Sequence, residues 1–242
     1  MNLYLSRLLL NPRSPRVANE LFHPYEMHRT LAHAFPEEAF TAKDGEEKAT
    51  VFLFRAEEED NARPFVTVYV QSVLEPDWTK IPNRDDYLHD SPESASVSCK
   101  DIMPAYQTLR DGQILSFRLR ANPTKRIGKT NADLPGKRVA LLREEEQVEW
   151  LARKGRGDGT EGTGGFELVM NEGAPSVTVV PEGKKFGRKT ENEQKHEMTH
   201  NAVLFDGLLQ ITDADAFRGT LLRGIGSAKA FGFGLLSIAK RP

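Results

Sequence analysis

Tyr25 and His28 stand one helical turn apart in the segment Phe22-His-Pro-Tyr25-Glu-Met-His28-Arg29-Thr-Leu-Ala-His-Ala-Phe35-Pro36. At i and i+3 on a helix the two side chains are neighbours, and both lie off the apolar stripe of Met27, Leu31, Ala34 and Phe35. A histidine titrating near pH ~6.5 exchanges protons at neutral pH, and an adjacent tyrosine hydroxyl can hold it or act as a second donor. The pair equally fits a structural role, with the imidazole at the rim of a core and the phenol packing with a wet tip. Arg29 sits beside them. His23, His33 and His89 have no comparable company and read as structural.

A second pattern, His196-Glu197-Met-Thr-His200, matches H-E-x-x-H, the zinc-protease helix motif. That chemistry needs both histidines on one helical face, a third ligand downstream and the glutamate as base. No histidine or glutamate follows His200, and only Asp206, Asp213 and Asp215 remain as third ligands. Asn201 to Ile211 reads as strand, so a zinc hydrolase is the remote alternative and no metal ligands are assigned. The third feature is Arg118-Leu-Arg120 running into Asn122-Pro-Thr-Lys125-Arg126. Strand alternation puts Arg118 and Arg120 on one sheet face, where guanidinium groups suit bidentate phosphate contacts. An exposed edge with solvated charges is the other reading. Lys184, Lys185, Arg188 and Lys189 extend the same basic track. No aromatic-rich strand accompanies it, which favours a folded RNA hairpin read by shape and phosphates over stacking of single strands.

The elements that must position these residues follow from composition and pattern. At 242 residues the chain has room for one large domain or two small ones. The formal net charge of −2 excludes a uniformly basic coat but not a basic face. Between Arg110 and Arg138 eight basic residues face two acidic ones, whereas Glu57–Asp60 and Glu144–Glu146 are acidic runs that read as solvated faces or turns. The single cysteine, Cys99, excludes an internal disulfide and suits a reducing cytoplasm. The apolar N-terminus carries Arg7 and no cleavage region, so it reads as a strand and not a signal peptide. No stretch approaches the length of a membrane helix.

In chain order, Asn2 to Leu10 is a strand and Asn11 to Arg16 a turn. Pro24 opens a helix that Pro36 stops. Ala49 to Ala56 and Pro64 to Gln71 form a hairpin across the first acidic run. Trp78 to Ser98 is irregular with one helical turn, and Asp101 to Arg110 is a fourth strand. After Asp111-Gly112 the pattern restarts with the strand holding Arg118 and Arg120, then a helix over Glu144 to Lys154. Gly155 to Gly165 reads as a flexible connection. Phe166 to Met170 and Ser176 to Val180 form a hairpin, followed by a strand over Ala202 to Thr212. A helix capped by Asp213, a glycine-rich loop over Gly224 to Gly234 and an apolar strand over Phe233 to Ile238 end the chain. Two tandem ferredoxin-like halves with antiparallel sheets, an α+β class, are the simplest architecture, residues 1–110 and 111–242.

The terminal loop holds Gly224, Gly226, Gly232 and Gly234 with Lys229 and Phe231. Its order of helix, glycines, strand excludes a dinucleotide fingerprint, which needs strand, glycines, helix. A long turn of permissive residues is one reading. The other is that it resembles the signature of the repeat-associated RNA-binding proteins of CRISPR systems. Three segments together resemble the CasE family: Tyr4-Leu-Ser-Arg-Leu-Leu-Leu-Asn-Pro-Arg13 with Pro24-Tyr25-Glu-Met-His28-Arg-Thr-Leu, the run Phe117 to Arg126, and the glycine loop. That resemblance implies a CRISPR RNA-processing endoribonuclease without a cofactor. It would cut the repeat hairpin of the precursor transcript and stay on the mature RNA among the other subunits of the Cascade surveillance complex, in the cytoplasm. A scaffold subunit of the same fold that never cuts is the main rival.

The resemblance further implies a metal-independent reaction in which the upstream 2′-hydroxyl attacks the phosphate. His28 is then the general acid or base and Tyr25 its partner. Some relatives place a lysine in this site, where the helix here offers Arg29. The glycine loop would sit against the RNA backbone or brace the two domains.

Overall fold

The computed structural model describes residues 1–41, 50–57, 64–81, 86–89, 95–127, 138–191 and 194–241, of which 187–191 and 194–197 are described by their backbone alone. The chain forms two units. The first comprises Met1–Thr108, Lys185–Thr199 and Lys229–Leu235, the second Leu109–Lys184, His200–Ala228 and Leu236–Pro242.

In the first unit β1 (Tyr4–Leu10) is followed by α1 (Pro15–Phe22), α2 (Pro24–Ala32), β2 (Phe52–Glu57), β3 (Val66–Ser72) and β4 (Val97–Asp101). These strands make one antiparallel sheet in the order β2-β3-β1-β4. That order, with helices crossing from β1 to β2, is ferredoxin-like. Among the described residues the second crossover carries only a 3₁₀ turn at Trp78–Lys80, the single helical turn expected there. Val66, Val68 and Val70 alternate along β3 and, with Leu8, Leu10, Phe52 and Phe54, form the core on which Met27, Leu31, Ala34 and Phe35 pack. Met27 and Leu31 are essentially inaccessible. Each contributes about 1.5–3 kcal/mol by burial, which anchors α2 on the sheet.

The second unit starts after α3 (Met103–Gln107). It contains β5 (Ile114–Ala121), β6 (Thr124–Arg126), β7 (Arg138–Ala140), α4 (Glu144–Arg156), β8 (Phe166–Leu168), β9 (Met170–Asn171) and β10 (Ala174–Pro175). Then come β11 (Val177–Glu191) and β12 (Gln194–Ile211), whose stretch Lys185–Thr199 counts with the first unit, and α5 (Ala214–Arg223) and β13 (Leu236–Lys240). Its main sheet runs β11-β12-β5-β13, with β8 also on β12. Strict alternation along β5 buries Leu115, Phe117, Leu119 and Ala121, where they meet a core that includes Trp150, Phe205 and Phe217. Asp213 caps α5 as its position predicts, its carboxylate accepting from the Ala216 amide at 2.9 Å.

Several elements differ from the sequence reading. Pro15 does not extend a turn; it occupies the first position of α1, where a missing N–H costs nothing. The fourth strand is Val97–Asp101, and the segment expected to be that strand holds α3, entered through a turn in which the Asp101 carboxylate accepts from the Met103 amide at 2.9 Å. The last strand starts at Leu236, since Gly234 has φ 91° and breaks the extended run from Phe233. Glu57 is not solvated: it is the last residue of β2, 8% exposed and ion-paired to Arg55. The rest of that acidic run, 58–60, lies outside the described residues.

Glu144 and Glu145 are exposed at the start of α4, as a solvated face requires. The glycine and threonine stretch after α4 is a pinned loop. Thr220 donates to the Gly164 carbonyl, and Asp158 caps the Thr160 amide.

Candidate catalytic cleft

Helix α2 enters directly from α1 through His23, whose cap conformation serves the end of one helix and the start of the next. A buried polar network fixes the angle between them. Glu20 is 2% exposed. Its carboxylate accepts from Arg16 at 2.9 Å, from the Thr30 hydroxyl at 2.5 Å and from the Tyr87 hydroxyl at 2.6 Å. Arg16 also donates to the Thr30 hydroxyl at 2.8 Å. Burial first, then the Glu20 carboxylate, pushes the Tyr87 hydroxyl far above its ordinary range, so it stays a donor. A polar Thr30 among Met27, Leu31 and Ala34 was the available sign that the buried stripe of α2 answers a polar partner.

This clamp presents Tyr25 and His28 inside an aromatic column. The Phe231 and Tyr25 rings stack at 5.6 Å, Tyr25 and His28 at 6.0 Å with planes 1° apart, and His28 and Phe52 at 4.8 Å. Phe52 stacks in turn on Phe35 at 5.0 Å. Phe40 meets the imidazole edge-on. Phe52 thus covers one face of the His28 ring, Phe40 meets its edge and Tyr25 lies parallel and offset beside it, so its orientation is set by packing. Phe231 belongs to the segment Lys229–Leu235, in which Lys229 lies 3.5 Å from the Thr50 hydroxyl. Gly232 there has φ 78°, and a Cβ would come within 3.2 Å of the Phe54 ring, so only glycine lets the segment lie this close. Arg55, 2% exposed, closes the arrangement by donating to the Leu235 carbonyl at 3.0 Å and to Glu57 at 2.7 and 2.9 Å.

Tyr25 and His28, both half-buried, line a cleft of about 750 Å³ with Arg29, Arg16, His33 and Lys80. Arg29 pairs with Glu26 at 3.1 Å and Lys80 with Asp77 at 3.5 Å. The cleft therefore offers an oriented imidazole, a phenol and three cations among three carboxylates, Glu20, Glu26 and Glu37. His33, Lys80 and Arg16 carry no local sign of the site; they reach the cleft from the end of α2, the 3₁₀ turn Trp78–Lys80 and α1.

The remaining candidates lie in other elements. Arg118 and Arg120 share a face of β5 as alternation predicts, yet each is held by a carboxylate: Arg118 by Asp206 at 2.7 and 3.2 Å, Arg120 by Glu182 at 2.5 and 2.7 Å. Lys125 on β6 donates to Glu146 at 3.1 Å. Arg143 first and Lys125 second hold the Glu146 carboxyl down to about 2. Arg126 is exposed on β6, and Lys184 and Lys185 lie on β11, the first exposed and the second half-buried. The side chains of Arg188, Lys189, His196 and Glu197 lie outside the described residues. Gly224 terminates α5, and Gly226 faces the Trp150 ring.

His196 and His200 both fall on β12. Four residues along a strand separate their Cα atoms by about 13 Å, against the one helical turn a zinc pair requires. The His200 ring instead meets the Asn122 amide at 3.1 Å, and burial lowers its pKa. Among the described residues no cluster of three His, Cys, Asp or Glu side chains is placed to hold a metal ion. No helix among them is long and apolar enough to cross a membrane.

The family model described as CRISPR associated protein matches residues 3–240. The CRISPR-associated endoribonuclease Cse3 of Thermus thermophilus is 37% identical over 239 residues, covering 98% of this chain and all of that protein. The CRISPR system Cascade subunit CasE of Escherichia coli is 31% identical over 221 residues, covering 89% of this chain and 91% of that protein. A solved structure of CRISPR endoribonuclease Cse3 bound to 19-nucleotide RNA superposes with a TM-score of 0.75 at 36% identity, over 99% of this chain and 100% of that one.

Proposed function

The chain belongs to the CasE (Cse3) family of CRISPR-associated proteins, and from that premise we propose that it is the endoribonuclease that cuts the repeat hairpin of precursor CRISPR RNA. The observation that carries the reading is the His28 imidazole, packed on Phe52 beside Tyr25 on the wall of a cleft that also holds Arg16, Arg29 and Lys80 together with the carboxylates of Glu20, Glu26 and Glu37. In the reaction, the 2′-hydroxyl upstream of the cut gives up its proton as its oxygen bonds to phosphorus. The bond from phosphorus to the 5′-oxygen breaks, and that oxygen takes a proton. The products are a 2′,3′-cyclic phosphate and a 5′-hydroxyl. His28 performs one of the two proton transfers, and Tyr25 orients it or shares in the exchange. Arg29, with the other cations of the cleft, stabilises the charged phosphorane. The step uses no metal.

Arg118, Arg120, Lys125, Arg126, Lys184, Lys185, Arg188, Lys189 and the glycine loop with Lys229 form the RNA track on this reading. Asp206 and Glu182 already share Arg118 and Arg120, so RNA must compete with these carboxylates for the two guanidinium groups. After cleavage the protein stays on the mature RNA with the other Cascade subunits in the cytoplasm. The test is incubation of the purified protein with its host's repeat hairpin and with the same RNA whose stem is scrambled. We expect one cut, in the hairpin alone; binding of the hairpin without any cut contradicts the proposal.

A further inference from the structure

A second cavity, of about 250 Å³, lies within the second unit, where the ends of α4 and α5 meet the loop after α4. Its wall carries three cations, Arg153, Lys154 and Arg223, and one carboxylate, Asp158. The carboxylate is committed locally: it accepts from the Thr160 amide at 3.1 Å and the Thr163 hydroxyl at 3.0 Å. Those bonds, Thr160 first, and the nearby Lys154 charge hold its pKa below the ordinary carboxylate value. The remainder of the wall is largely backbone of glycines in the loop and just beyond α5.

The loop is built into place. Gly219 of α5 approaches Gly162 so closely that a Cβ would sit 2.5 Å from the Gly162 Cα. The buried Thr220 hydroxyl donates to the Gly164 carbonyl at 2.9 Å, and Arg223 donates to the Glu161 carbonyl. Two helix C-termini would by themselves repel an anion. The basic residues in the last turns of both helices, Arg153, Lys154 and Arg223 among them, reverse that sign.

The volume is below the roughly 300–1,000 Å³ of pockets that enclose a whole small molecule. It has room for a tetrahedral oxyanion. We propose that this pocket is a phosphate subsite that takes one phosphodiester of the RNA backbone, with Arg153 and Lys154 as its charged contacts and Arg223 bracing its wall. The proposal rests on the RNA-cleaving reading above and adds to it an anchoring point that Arg118, Arg120 and the basic strands do not supply.

The test is Arg153→Gln/Lys154→Gln, with Arg153→Gln alone as a second variant on an exposed side chain. The affinity for an uncleavable 2′-deoxy repeat hairpin is measured across a salt series, beside the cleavage rate at saturating RNA. We expect the slope of log affinity against log salt to fall by about one, the value for a single phosphate no longer neutralised. The saturated cleavage rate stays unchanged. Titration with inorganic phosphate shifts the Gly162 and Gly164 amide resonances in the wild type only if the pocket accepts the free ion as well. Phosphate shifts with an unchanged RNA slope would assign the pocket to free phosphate and overturn the proposal, as would an unchanged slope without shifts in a folded variant. Failure of the wild type to bind or cut the hairpin would be a failure of the enzymatic reading instead.

Discussion

His28→Ala is expected to lower hairpin cleavage by about 10²–10⁴-fold, the usual worth of a positioned acid or base, while leaving RNA affinity within a few fold. The imidazole packs on Phe52 beside Tyr25, so alanine also opens a gap in the column. His28→Phe separates the two effects, because it keeps an aromatic disc in the stack and removes both ring nitrogens. Equal loss of activity in the two variants, with near wild-type denaturation midpoints for phenylalanine, assigns the loss to proton transfer. Recovery of activity in His28→Phe would make the residue a spacer. A tenfold or greater loss of binding would make it an RNA anchor. Either result removes it from the chemistry.

Arg55→Met is expected to destabilise the protein by about 3–5 kcal/mol, because it takes the guanidinium away from the Glu57 carboxylate in a residue only 8% exposed. The Leu235 carbonyl loses a donor in the same step. Arg55→Met/Glu57→Leu should recover most of the loss, since two apolar side chains replace a desolvated pair at little or no cost. Chemical denaturation of the single and double variants measures both numbers. A single variant within about 1 kcal/mol of wild type would show that the pair is not the tie described. In the double variant the Leu235 tie is still missing, so the segment bearing Phe231 should be less firmly held against Tyr25. Cleavage should then recover less completely than stability.

The parts legible in the sequence were those with a local physical signature. Strict alternation marked β5, a proline opened α2, and the spacing of Tyr25 and His28 needed only helical geometry to be read as a pair. Asp213 announced its cap. Other elements gave misleading local signals. Val97–Asp101 is a polar edge strand with almost no buried side chain, so it lacked alternation. Pro15 marks a helix start as readily as a turn. Glu57 looked solvated because three acids follow it; its partner, Arg55, was two residues away on the same strand face. The match to H-E-x-x-H failed because β12 is extended.

Phe231 against Tyr25 had no local sign at all, since the two segments are distant in the chain. The pairing of Arg118 with Asp206 depends on the register of β5 with β12, which sets those two residues opposite one another. Side-chain partners across a sheet follow from register, and register was not readable before the strands were paired.

The most direct measurement is cleavage of the host's repeat hairpin in EDTA, with a parallel substrate carrying one 2′-deoxy substitution at the cut and with analysis of the product ends. We expect a full rate in EDTA, 2′,3′-cyclic phosphate and 5′-hydroxyl ends, and no product from the deoxy substrate. Cleavage of the deoxy substrate, or activity that EDTA abolishes and a divalent metal restores, would contradict this mechanism.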